Sequence, residues 1–115
     1  MRPGQIEPNE FERAILGSLS RQAPHEAPNL GRLHVLSREY TGVGSYTVFV
    51  IGESASEKRQ RPVVLKGVIH MPTVPTGLGA MLYYKGDQPK CLEVYTYGNE
   101  RWDGVYDGFS IEEES

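Results

Sequence analysis

One cysteine, three histidines and a scatter of carboxylates are the residues of this chain that could do chemistry. Cys91 would act as a nucleophile only with a histidine at hand to take its proton. His25, His34 and His70 all stand far from it in sequence. A lone cysteine forms no intrachain disulfide and no cysteine-rich zinc site. Its expected role is a small apolar side chain at a strand start. His34 and His70 could meet on neighbouring strands with Glu39 as a third ligand, yet residues 34 and 39 of a regular strand point to opposite faces. The H-x-x-x-H spacing of helical zinc sites is missing. Glu39, Glu53 and Glu93 fall in or beside strands, but a glycosidase needs two carboxylates facing across a cleft, which sequence spacing alone does not show; Glu39, between Arg38 and Tyr40, reads as a surface or ion-paired residue. The expectation is therefore a chain without catalytic residues, metal or cofactor.

YTGVGSYTVF (40–49) and PTGLGAMLYY (75–84) share a T-G-[V/L]-G stretch, 35 residues apart. Phosphate loops also use glycines, but add Lys-Ser/Thr and open a helix. Each glycine pair here leads into the pattern of a strand, so turns with φ > 0, bulges or sheet curvature explain the glycines better. EKRQR (57–61) is an isolated basic run without interleaved aromatics and reads as a solvated loop. Charge divides along the chain: residues 1–85 hold ten Lys/Arg against seven Asp/Glu, and residues 86–115 two against eight. An acidic final quarter disfavours nucleic acid and suits a basic protein partner. Residues 110–115 read as an acidic, solubilising tail without fixed structure.

These residues need a frame. At 115 residues the chain is expected to form one domain, burying about two-thirds of its unfolded surface. Residues 1–8, with two prolines, read as an irregular arm. Phe11, Ile15, Leu16 and Leu19 recur at helical spacing, and Asn9 with Glu12 has capping-box form, predicting a helix over 9–21. Gly17 weakens that helix but would let it lie close to a sheet. After the loop QAPHEAPNLG, β-branched and aromatic runs alternate with turn residues. They predict strands at 33–40, 45–52, 61–70, 79–85 and 91–97. Short connections favour an antiparallel meander. The expected class is α+β, with the N-terminal helix packed on an antiparallel, mostly meander sheet of about five strands. No apolar run approaches the ~20 residues of a membrane helix, and the N-terminus lacks a signal peptide's apolar core. A soluble, cytoplasmic protein with no membrane partner is expected.

If GDQPK closes a regular hairpin with Lys85 opposite Cys91, then Leu82 faces Val94 and Tyr84 faces Leu92 on the core side. Tyr83 then faces Glu93 and Met81 faces Tyr95 on the other, with Tyr97 next along the strand. That second side is a tyrosine-rich surface, suited to a solvated sheet or to binding. Trp102 lies in the loop GNERWDGVYDGFS, which could fold back as an edge strand.

The TGVG strand start (Thr41, Gly42, Val43, Gly44, with Phe49) and the later LEVYTY…W segment (Leu92, Glu93, Tyr95, Thr96, Tyr97, Trp102) together resemble a group of small uncharacterised bacterial proteins. Some of that group are similar to immunity proteins, which neutralise a toxin by binding it. The resemblance implies a small α+β domain with a binding role. The resulting expectation is a non-enzymatic protein-binding module, with an immunity-type inhibitor of a bacterial toxin as its specific form. Tyr83, Tyr95 and Tyr97 would give contact area, Trp102 a hot spot, and Glu93, Glu100, Asp103 and Asp107 charge for a basic partner. Two alternatives stand beside it. One is a small-ligand or enzymatic domain with a pocket in the curved sheet near His34, Glu39, His70 and Glu93. The other is a homodimer across the tyrosine face.

Overall fold

The computed structural model describes residues 6–27, 30, 33–52 and 61–114. Helix α1 (Glu10–Gln22) starts where the sequence places it. Asn9 Oδ1 accepts the Glu12 amide at 2.8 Å, and Glu12 Oε1 accepts the Asn9 amide at 2.8 Å, closing the capping box. Its buried side chains are Phe11, Glu12, Ile15, Leu16, Ser18 and Leu19. Gly17 does not touch the sheet: a Cβ there would meet only the Arg21 guanidinium.

Seven strands come after the helix: β1 (Val35–Tyr40), β2 (Gly44–Phe49), β3 (Val63–Val64), β4 (Gly67–Met71), β5 (Val74–Lys85), β6 (Gln88–Thr96) and β7 (Ser110–Glu113). They form one antiparallel sheet in the order β1-β2-β6-β5-β4-β7, with β3 also on β5. The α+β architecture with the helix on one face is as expected, but five strands become seven for identifiable reasons. The predicted strand 61–70 breaks at Leu65–Lys66, where Gly67 takes φ 145. Both halves still line β5, and the Leu65 amide donates to Ala80 O at 2.9 Å. MPTVPTGL is not a loop, because Pro72–Thr73 alone makes the turn and β5 runs on through Pro75 and Gly77.

Residues 110–113 are not a free tail. Their backbone pairs with β4, Ile111 opposite Ile69, while Glu113 accepts hydrogen bonds from Arg21 at 2.7 Å and Ser18 at 3.1 Å. The helix's two polar groups thus supply a partner for an acidic strand.

The core lies between α1 and the sheet. β5 contributes Val74, Leu78, Ala80 and Leu82; β6 contributes Leu92 and Val94; Val35, Phe49, Leu65, Ile69 and Met71 pack with them. The connection from β6 to β7 closes one end. Phe11 sits among Trp102, Tyr106 and Phe109, with ring centroids 5.6, 5.3 and 5.0 Å away.

The long hairpin is tighter than GDQPK suggests. Gly86 (φ 60) and Asp87 form the turn, Lys85 pairs with Gln88, and a bulge near Tyr84 absorbs one residue. Leu82 therefore faces Leu92, Ala80 faces Val94, Tyr83 faces Cys91 and Met81 faces Glu93. The pairing slips by two places from the expected one. A shift of two preserves the face of each side chain.

Candidate functional site

Opposite the helix, the sheet presents an outer face that no described element covers. Alternation produces it: where Leu92 and Val94 turn inward, Cys91, Glu93 and Tyr95 turn outward. Strand pairing arranges three cross-strand rows. One runs Ser37, Val48, Cys91, Tyr83; the next Glu39, Tyr46, Glu93, Met81, Val64; the third Gly44, Tyr95, Gly79.

Glu93 is half-buried at the middle. The Tyr83 hydroxyl donates to its Oε1 at 2.9 Å and the Tyr46 hydroxyl to its Oε2 at 3.1 Å. These bonds hold the phenols protonated. Tyr83 is pushed up to about 12 by its hydrogen bond to Glu93, with desolvation and the negative charge adding to it. Tyr46 is raised by its own hydrogen bond to Glu93. Burial, then Glu93, pushes the Cys91 thiol up, which makes it a poorer nucleophile.

The third row explains the glycine stretches. Gly42 (φ 90) and Gly77 (φ 80) occupy the left-handed turn conformation that glycine adopts without a steric penalty. The second glycine of each stretch then flanks Tyr95, Gly44 on one side and Gly79 on the other. The Tyr95 ring lies over Gly79, where a Cβ would come within 2.7 Å of it. Tyr97 meets Tyr95 edge-on with centroids 5.8 Å apart, and its hydroxyl donates to Gly67 O at 2.9 Å. The turns also grip this segment by its backbone: the Thr96 amide donates to Val43 O and the Tyr97 amide to Gly77 O, both at 3.0 Å. TGVG, TGLG and LEVYTY are thus parts of one structure.

Tyr83, Glu93, Tyr95 and Tyr97 accordingly belong to this one region. Trp102 does not. It is 2% exposed, lies edge-on to Tyr40, and its Nε1 donates to Val105 O at 2.9 Å, so it is a core residue and not a surface hot spot. Burial of the largest aromatic completes the cluster around Phe11. Glu100 accepts from the Thr76 hydroxyl at the sheet end, and Asp103 accepts the Val105 amide at 3.0 Å within its loop. Asp107 is an exposed turn residue. These three acids stand on the β6–β7 connection, away from the rows around Glu93.

The residues named for an alternative pocket do not converge. Glu39 and Glu93 share a row with Tyr46 between them. His70 pairs with Glu112 at 2.7 Å on the far strands, and His34 lines a cleft of about 470 Å³ beside α1, with Leu16, Ser20, Leu30 and Leu33. Among the described residues, no three His, Cys, Asp or Glu side chains gather as metal ligands. Glu53 and most of EKRQR lie outside the described residues; Arg61 is exposed.

Two participants escaped the sequence reading. Tyr46 was signalled by the alternation of SYTVF on β2. The Glu12 carboxylate gave only its capping signal. It is buried, and beyond the Asn9 amide it accepts Arg38 Nε at 2.8 Å, Arg38 Nη2 at 2.7 Å and the Thr47 hydroxyl at 2.7 Å. Burial works to raise this carboxyl, but the bonds from Arg38, Asn9 and Thr47 outweigh it and hold it below the usual range. Comparison with protein-family models, with curated proteins and with solved structures finds no match for this chain.

Proposed function

We propose that the chain is a non-enzymatic protein-binding module, of the immunity type that its motifs resemble, and that it binds a basic partner through the outer sheet face. One observation carries the reading: a continuous face of Tyr46, Tyr83, Tyr95, Tyr97, Met81 and Val48 around one carboxylate is left uncovered by the described elements. Tyrosine supplies large contact area with few rotamers to freeze, and an amphipathic ring tolerates both solvent and a partner. The hydrogen bonds at Glu93 and the glycine bed beneath Tyr95 fix side chains before any partner arrives, which lowers the ordering cost of binding.

The test is capture from the native host's lysate by the tagged chain, beside a Tyr83→Ala/Tyr95→Ala variant. One stoichiometric basic protein, bound at least roughly tenfold more weakly by the variant, is the expected result. Equal capture by both would remove the face from the reading.

A small-ligand domain is the second reading, and it now has a different location. His34 Nδ1 is buried without a hydrogen-bond partner beside the cleft on the α1 flank, where a ligand acceptor or donor would satisfy it. Screening small carboxylic acids and amides by NMR shifts of His34 and Leu33 tests it. Absence of saturable shifts would set it aside.

A further inference from the structure

Building on the binding face above, we infer that its anchor is Glu93 and that the partner, a protein, presents an arginine side chain to it. Glu93 is the acid at the centre of the face, two strands in from Glu39. Both its oxygens are engaged, yet only by neutral donors, the hydroxyls of Tyr46 and Tyr83. Among the described residues no Lys, Arg or His lies within ion-pairing distance of it; the ion pairs found engage Glu7, Glu12, Glu112 and Glu113. A partner that covers the face takes the half-buried carboxylate out of solvent, and a covered carboxylate without a counter-charge is strongly unfavourable. A partner that binds here therefore brings a cation to this point.

A guanidinium fits better than an ammonium. Each carboxylate oxygen accepts one tyrosine hydroxyl and keeps further acceptor capacity. Arginine's planar fork can address both oxygens at once. Its flat, weakly hydrated face can also lie on a tyrosine ring, adding cation–π attraction. The other occupants fit less well. Nucleic acid is repelled by Glu93 and Glu39. A second copy docked centre on centre sets Glu93 against Glu93.

A random peptide display library, selected on the full-length chain, tests the inference. Wild-type binders should share one enriched arginine and bind Glu93→Gln at least roughly tenfold more weakly, a loss of ~1.4 kcal/mol. Replacing that arginine by lysine should weaken binding to the wild type in the same direction. Binders without an enriched basic residue that still lose affinity on Tyr95→Ala would overturn the anchor and leave the face standing. Binders indifferent to Glu93→Gln and Tyr95→Ala alike would overturn both. Lysine serving as well as arginine would overturn the guanidinium assignment. A wild-type dimer by light scattering that tightens in Glu93→Gln would give the face to a second copy and overturn the inference. Thermal melts verify that each variant is folded; Glu93→Asp, which retains the charge but withdraws it, replaces Glu93→Gln if that variant is not.

Discussion

Two aromatic residues with opposite fates define the residue scale. Trp102 is buried in contact with Phe11 and Tyr40, and Trp102→Ala should cost about 3–5 kcal/mol, read as a lower denaturant midpoint. Tyr83 lies on the outer face, and its phenol is pushed up to about 12. A group raised in the folded state contributes stability that is complete below its unfolded pKa near ~10. That contribution is lost as pH rises through the folded value. Absorbance titration should show tyrosines ionising late, Tyr83 and Tyr46 among them, and Glu93→Gln should bring both down; an unchanged curve would contradict their bonds to Glu93. The sequence separated these fates only in part. Period-two alternation placed Tyr83, Glu93 and Tyr95 on a common face even with the pairing shifted, since faces survive a two-residue slip. Trp102 sits in a glycine-rich connection without period, and its burial depends on Phe11 at the other end of the chain.

Among the elements, the Glu12–Arg38–Thr47 cluster ties α1 to β1 and β2. Removing Arg38 strands the buried Glu12 carboxylate, so Arg38→Ala should cost about 3–5 kcal/mol. The carboxyl is depressed, so its stabilisation is complete above the unfolded glutamate pKa of ~4.3 and is lost as pH falls through the lower folded value. Urea unfolding between neutral and acid pH should therefore lose part of its slope in Glu12→Gln. Gly44 is a sharper test of the sheet. A Cβ there would stand 2.2 Å from Val94 O, against backbone that cannot yield without breaking the β2–β6 pairing. Gly44→Ala should destabilise by at least ~2 kcal/mol, whereas Gly17→Ala, with ordinary space around it, should stabilise by up to ~1 kcal/mol. Asn9 and Glu12 made the helix start legible because a capping box is local chemistry. The partners Arg38 and Thr47 were not, for nothing local links positions 12, 38 and 47. Likewise β7 was hidden by its own acidity, which Arg21 and Ser18 at Glu113 and His70 at Glu112 make intelligible.

For the whole molecule, the sheet's outer limits are guarded differently. At β1 the Val35 amide donates to Ile6 O at 2.7 Å, so Ile6 covers part of that edge. β7 is short and acidic, a poor template for further pairing. Deleting residues 110–115 should expose β4, cost a few kcal/mol in lost backbone bonds and ion pairing, and raise aggregation on heating, as light scattering would show. The closing of the core by the β6–β7 connection has another consequence, felt during synthesis. Phe11 is synthesised before the whole sheet core, but its ring partners Trp102, Tyr106 and Phe109 are synthesised only after β6. β2 likewise waits for β6. The nascent chain can form its helix and local hairpins, yet its hydrophobic centre stays open until those aromatics clear the exit tunnel, so this fold closes only once they have emerged and not progressively from its N-terminal helix.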